Sequence, residues 1–92
     1  MHAIFATVTI SDYEAARKQL QERVIPNVKQ APGFVCGYWL APGSDSKGHS
    51  VVVFDNEEHA SAVADQMRSG ALPIPPEVTI ESADVREVAG SA

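Results

Sequence analysis

The stretch Pro32–Phe54 reads PGFVCGYWLAPGSDSKGHSVVVF, and it decides the fold. Two apolar runs, over 34–41 and 49–54, flank a loop rich in Gly, Pro, Ser and Asp, which is typical of a hairpin. Both runs are apolar at odd and even positions alike, so both faces of the predicted strands need cover. A chain of 92 residues is too short to supply all of that cover, and the pattern therefore predicts a partner subunit.

The residues before this hairpin predict a strand and a helix. An alternating, β-branched run predicts a strand over 3–10. Ser11 and Glu14 have the spacing of a capping box, and an apolar stripe at a spacing of four predicts a helix after them. Pro26 removes one helical hydrogen bond, so we expect a kink or a restart near Ile25.

The residues after the hairpin predict a second helix and a last strand. Asp55 or Asn56 is expected to cap the helix, and Gly70 to end it. Its apolar stripe, at i, i+3, i+4 and i+7, consists of Ala60, Val63, Ala64 and Met67. The proline-rich run 71–76 predicts an extended connector. The strand over 77–88 changes its apolar parity midway, which predicts a bulge near Ser82.

The resulting order is βαββαβ, expected as one domain over 1–92. Right-handed crossovers place both helices on one face of a four-stranded antiparallel sheet, which is the ferredoxin-like α+β fold. On the other face the second and third strands keep a further set of large apolar groups. Within the second strand, one parity holds Phe34, Cys36, Tyr38 and Leu40, and the other holds Val35 and Trp39. An exposed patch of this size predicts a homodimer packed sheet to sheet.

Composition excludes several classes of function. The net charge is −5 and the seven basic residues are scattered, which argues against nucleic acid as a partner. Cys36 is the only cysteine and is expected to be a small buried hydrophobe, so no intrachain disulfide forms. With no signal-like start and no apolar run of about 20 residues, we expect a cytoplasmic protein without a membrane segment. The three histidines are not clustered, which predicts no protein-built metal site.

Three segments carry a family resemblance: Ala31-Pro32-Gly33-Phe34, then Gly37-Tyr38-Trp39, then the run 52–58 that opens the second helix. With the element order, they resemble the dimeric α+β barrel superfamily, in its antibiotic biosynthesis monooxygenase-like group. The resemblance implies a homodimer and a substrate site between sheet and helices. In part of that group, it implies cofactor-independent oxidation of an anthrone- or quinol-like phenol. Haem-degrading members have an Asn on the first strand and a Trp at the end of the third. This chain has Thr7 and Thr9 on the first strand and Phe54-Asp55 at the end of the third, so it departs from that pattern.

The candidate site residues are Trp39, Tyr38 and His59. Trp39 and Tyr38 are neighbours on a strand, so one should face the helices and the other the dimer interface. Trp39 is suited to stack on a planar aromatic substrate, and His59 is suited to take a phenolic proton. The alternative is that the two aromatic residues only pack and that His59 is an exposed first-turn residue. Arg86 is a further candidate for the substrate site.

Two hypotheses of function follow. The first is a small, cofactor-free monooxygenase-like enzyme acting on an aromatic or polycyclic small molecule. The second is a non-catalytic dimeric module that binds a small ligand or serves as an assembly unit. A cavity of several hundred Å³ reaching Trp39 or His59 favours the first hypothesis, and a fully packed interior favours the second.

Overall fold

The computed structural model describes residues 1–71 and 74–92. Four strands form one antiparallel sheet in the order β2-β3-β1-β4; they are β1 His2–Ile10, β2 Phe34–Leu40, β3 Lys47–Phe54 and β4 Val78–Glu87. The helical segments are α1 Tyr13–Gln19, a π-helical turn Leu20–Val24, α2 Ile25–Val28 and α3 Glu57–Ser69. The first three run without a break over 13–28 and are called the first helix here. The predicted βαββαβ, ferredoxin-like α+β arrangement is confirmed.

The first helix begins one residue later than the sequence predicts. Asp12 is its N-cap, and the Asp12 carboxylate accepts the Ala15 N–H at 3.2 Å. The predicted capping box of Ser11 with Glu14 is therefore wrong. Ser11 is still held by the sheet edge, because its N–H and its hydroxyl both donate to the Glu77 carbonyl, at 2.9 and 3.3 Å. Asp12 is thus the first residue whose side chain is free to cap the helix.

Pro26 is accommodated by a change of helical type just before it. In the π-helical turn Leu20–Val24 the Ile25 N–H donates to the Leu20 carbonyl, five residues back. The α-helical pattern then restarts at Ile25 and continues with Lys29 N–H donating to the Ile25 carbonyl at 3.0 Å. A π turn is a common way to absorb a break in the helical ladder. The predicted restart near Ile25 is confirmed.

The second predicted helix, α3, follows its sequence signals closely. The Asn56 side chain accepts the His59 N–H at 2.8 Å, and Gly70 ends the helix with φ of 78°. Its predicted stripe turns toward β1, β3 and β4, with Ala60, Val63 and Ala64 buried. Part of the predicted connector over 71–76, namely Leu72 and Pro73, lies outside the described residues. No helix in the described ranges is long and apolar enough to cross a bilayer.

Two bulges set which side chains face the helices. In β4, Glu81 is the extra residue between Ile80 and Ser82, so the predicted bulge near Ser82 is confirmed. In β2, Val35 is the extra residue between Phe34 and Cys36. The sequence did not predict this second bulge.

The bulge at Val35 corrects the predicted parity of the second strand. Phe34 pairs with Phe54 on the helix side, with the two rings edge to face at 6.2 Å, whereas Cys36 and Tyr38 point to the other face. Placing Phe34 in one set with Cys36, Tyr38 and Leu40 was therefore wrong, because a bulge inverts the alternation beyond it.

Candidate functional site

A cavity of about 520 Å³ lies between the first helix and the sheet. Leu20 and Val24 of the helix line one side, and Val8 and Trp39 of the sheet line the other. Met67 of α3 also borders it. The predicted stripe of the first helix therefore faces the sheet, but Leu20 and Val24 are only half-buried, since space separates them from it. The volume is typical of a site for a small organic molecule.

The floor of the cavity is built around Trp39. Trp39 stands opposite Ser50 on β3, and both residues also border a smaller cavity of about 50 Å³ that continues toward Ile4 and Val63. The Trp39 ring lies over Gly37, where an added Cβ would come within 2.8 Å of ring carbon Cη2. Because glycine has no side chain, position 37 leaves space for the Trp39 indole to lie along the strand. Ser50 is a buried polar residue in this otherwise apolar floor.

The charged residues at the rim are both basic. Arg17 and Lys29 line the cavity, and both are exposed. Among the described residues, no aspartate or glutamate lines it. This is notable in a chain that has 12 acidic and 7 basic residues. The rim is therefore locally positive on a protein of net negative charge.

Tyr38 points away from this cavity. It pairs with Val51, and 68% of its surface is exposed on the sheet face opposite the helices, which is called the open face here. Because neighbouring strand residues point to opposite faces, the Tyr38 side chain lies on the open face while Trp39 presents its ring to the cavity. The two predicted site residues thus lie next to each other in the chain and serve different faces.

His59 lies outside the lining of both cavities. Its ring Nδ1 is 2.7 Å from an Asp55 carboxylate oxygen, and 37% of its side chain is exposed. Both groups press against Gly33, where a Cβ would come within 2.3 Å of each, and the Asp55 N–H donates to the Gly33 carbonyl at 2.8 Å. This contact ties the turn before β2 to the start of α3. The structure does not bring His59 and Trp39 together around one cavity.

The open face carries an apolar patch. Tyr38 and Leu40 on β2 are 68% and 58% exposed, and Phe5 on β1, separated from them by β3, is 40% exposed. The Phe5 ring stacks on His49, with centroids 5.6 Å apart, and the His49 Nδ1 lies 3.3 Å from the Thr7 hydroxyl. Cys36 is half-buried here, so the expectation that it is a buried hydrophobe is met only in part.

Arg86, the remaining candidate, pairs in register with Ala3 on this same open face and is exposed. It is not among the residues that line the cavity. The structure therefore separates Arg86 from Trp39 by the thickness of the sheet.

Two further observations concern the charged and the metal-ligating side chains. Lys47 and Glu81 form an ion pair across the sheet, and the Lys47 ammonium holds the pKa of the Glu81 carboxyl below its usual value. Within the described part of the chain, no three side chains of His, Cys, Asp or Glu approach closely enough to hold a metal ion.

Sequence reasoning did not identify Ser50, Arg17 or Lys29 as site residues. Ser50 carried a signal, because it is a polar residue within an otherwise apolar strand run. Arg17 and Lys29 carried none, since cations on the exposed side of a helix are ordinary. Their position is visible only once the cavity is located.

The chain was compared with known proteins. No protein-family model matches it, and no curated protein is significantly similar to it.

Proposed function

We propose that this chain binds an aromatic or polycyclic small molecule in the cavity between the first helix and the sheet. The observation that carries the proposal is the cavity itself, about 520 Å³ in volume, with Trp39 on its floor. An indole offers a large flat surface for stacking and one N–H donor for a carbonyl or hydroxyl oxygen. Ser50 adds a second hydrogen-bonding group to an apolar floor.

The catalytic form of this proposal is a cofactor-independent, monooxygenase-like reaction, in keeping with the resemblance to the antibiotic biosynthesis monooxygenase-like group. An anthrone-like substrate would lose a proton, and its carbanion would reduce O2. One oxygen atom would become the quinone carbonyl and the other would leave as water. A largely apolar cavity supports this chemistry by excluding bulk water from the reacting carbon.

The placement of His59 favours the second candidate, a module that binds a ligand without turning it over. Its ring is engaged with Asp55, away from the cavity that contains Trp39. Proton removal by His59 would therefore require a substrate outside this cavity.

We further propose that the protein is a homodimer that packs open face to open face. Phe5, Tyr38 and Leu40 support this, because they form an exposed apolar patch on one face of a small sheet. Leu40→Lys should convert a dimer to a monomer in size-exclusion chromatography with light scattering. Ala62→Lys, on the exposed side of α3, is the matched control and should leave the dimer intact. A wild-type monomer at micromolar concentration would end this part of the proposal.

Anthrone tests the binding and the reaction separately. Isothermal titration calorimetry measures binding under anaerobic conditions, and an oxygen electrode measures consumption of O2. We expect Trp39→Phe to weaken binding by about threefold to tenfold, because phenylalanine keeps an aromatic contact but removes the indole N–H hydrogen bond, which contributes on the order of 1 kcal/mol. Tyr38→Phe, on the opposite face, is the matched control. Binding without oxygen uptake supports the non-catalytic module, and absence of binding contradicts both candidates.

A further inference from the structure

We infer that the molecule held in this cavity carries an anionic group, a carboxylate or a comparable ionised oxygen, next to its aromatic body. The inference rests on the proposed function and names the charge class of the ligand. It starts from the distribution of charge around the cavity. Two of the seven basic residues line the cavity and, in the described ranges, none of the 12 acidic ones does.

The two cations flank the cavity at opposite ends of the first helix. Arg17 lies in α1 and Lys29 follows directly after α2. Twelve residues at 1.5 Å each separate them by roughly 18 Å along the helix. A small ligand would therefore meet one cation at a time, with its apolar body toward Leu20, Val24 and Trp39.

The cations at the rim favour an anion, whereas the net charge of the whole protein opposes one. The protein as a whole has a net charge of −5, so long-range electrostatics alone would repel an anion. A positive rim on such a protein offsets this repulsion only locally. Arg17 is also able to bind a carboxylate with two parallel hydrogen bonds, which Lys29 cannot do.

A pair of probes with the same aromatic body isolates the charge. They are 2-naphthoate, which is anionic at pH 7, and 2-naphthamide, which is neutral and of nearly the same shape. We expect 2-naphthoate to bind about threefold to tenfold more tightly by calorimetry, the range given by one exposed ion pair together with its hydrogen bonds. The preference should shrink in 0.5 M NaCl, since salt screens exposed charges. Fluorescence of Trp39, the only tryptophan, reports whether the probe binds against the indole ring.

Matched double variants separate the rim from the overall charge. Arg17→Gln with Lys29→Gln should abolish the preference for 2-naphthoate, so that the two probes bind this variant with equal affinity. Lys18→Gln with Arg23→Gln removes the same charge from exposed positions of the same helix that do not line the cavity, and it should keep the preference. Circular dichroism checks that both variants are folded.

The outcomes distinguish this inference from the proposed function. If neither probe binds and Trp39 fluorescence does not change, the proposed function fails. If both probes bind wild type equally, the cavity binds ligands but the inference of an anion is wrong. A preference that survives in the Arg17 and Lys29 variant, or disappears equally in the control, also overturns it.

Discussion

Gly37→Ala is the substitution that most directly tests how Trp39 shapes the cavity. An alanine Cβ at position 37 would lie 2.8 Å from Trp39 Cη2, 3.0 Å from Trp39 Cζ3 and 3.5 Å from Val52 Cγ2. The first distance is too short for two carbon atoms, so the indole must move. The backbone does not oppose the change, because Gly37 is not among the residues with positive φ.

The structure sets the size of the effect. Overpacking a core costs about 1–3 kcal/mol, and the free space beside Trp39 lets the ring swing away, which favours the low end, about 1 kcal/mol. Alanine recovers roughly 0.5 kcal/mol, since it is less flexible than glycine in the unfolded chain. We therefore expect a net loss of only about 0.5 kcal/mol in the free energy of unfolding. The displaced indole should, however, occupy the space of the ligand and weaken 2-naphthamide binding by about tenfold or more, or at least 1.4 kcal/mol.

Three measurements check this prediction: urea denaturation, the emission spectrum of Trp39, and calorimetry with 2-naphthamide. Gly43→Ala is the control, because its Cβ would meet only Asp45 Oδ1, at an ordinary 3.4 Å. Unchanged emission and unchanged binding in Gly37→Ala would refute the reasoning. So would a loss of more than about 3 kcal/mol, which would mean that the ring has no room to move.

Three further predictions concern the fold. Phe54 is fully buried, so Phe54→Ala should cost about 3–5 kcal/mol in urea denaturation, and a cost below about 1 kcal/mol would contradict its place in the core. Asp12→Ala should lower the free energy of unfolding by about 1 kcal/mol and Ser11→Ala by only a few tenths, because Asp12 is the N-cap. The reverse order would instead support the predicted capping box of Ser11 with Glu14. The Glu81 pKa is lowered by Lys47, so this pair contributes stability above the unfolded value of 4.5 and loses it as pH falls through the lower folded value. The free energy of unfolding of Glu81→Gln should accordingly fall less steeply than that of wild type between pH 5 and pH 3. An unchanged slope would mean that this ion pair does not contribute to the acid sensitivity.

Much of the fold follows from local patterns. The alternating run over 3–10 and the stripe of α3 each have one apolar side, so their period identifies both the element and its buried face. Gly70 and Pro26 act on the backbone within one turn, and their effects were predictable for that reason. The bulge at Glu81 was predictable because it shifts an otherwise visible apolar parity.

The cavity and its site were predictable only in part. Trp39 and Tyr38 were correctly predicted to face opposite sides of the sheet. The cavity was not predictable, because a helical stripe that packs tightly and one that lies away from the sheet have the same apolar pattern. Leu20 and Val24 are half-buried because the first helix leaves space between them and β2, and that distance depends on the whole chain. His59 was placed near the site because it adjoins the stripe of α3, yet its short contact with Asp55 holds it at the turn before β2.

The bulge at Val35 links the cavity to the open face. In a regular strand, Phe34 and Trp39 would point to opposite faces, because five positions separate them. One extra residue between Phe34 and Cys36 brings both rings to the helix side, where they line the same cavity. The same residue sends Tyr38 and its apolar neighbours to the open face. A bulge is not visible in a sequence that is apolar at odd and even positions alike, because a shift by one residue still buries apolar side chains. The second strand is apolar on both faces, and the bulge at Val35 decides which side chains lie on each. This bulge therefore supports both the proposed ligand site and the proposed dimer.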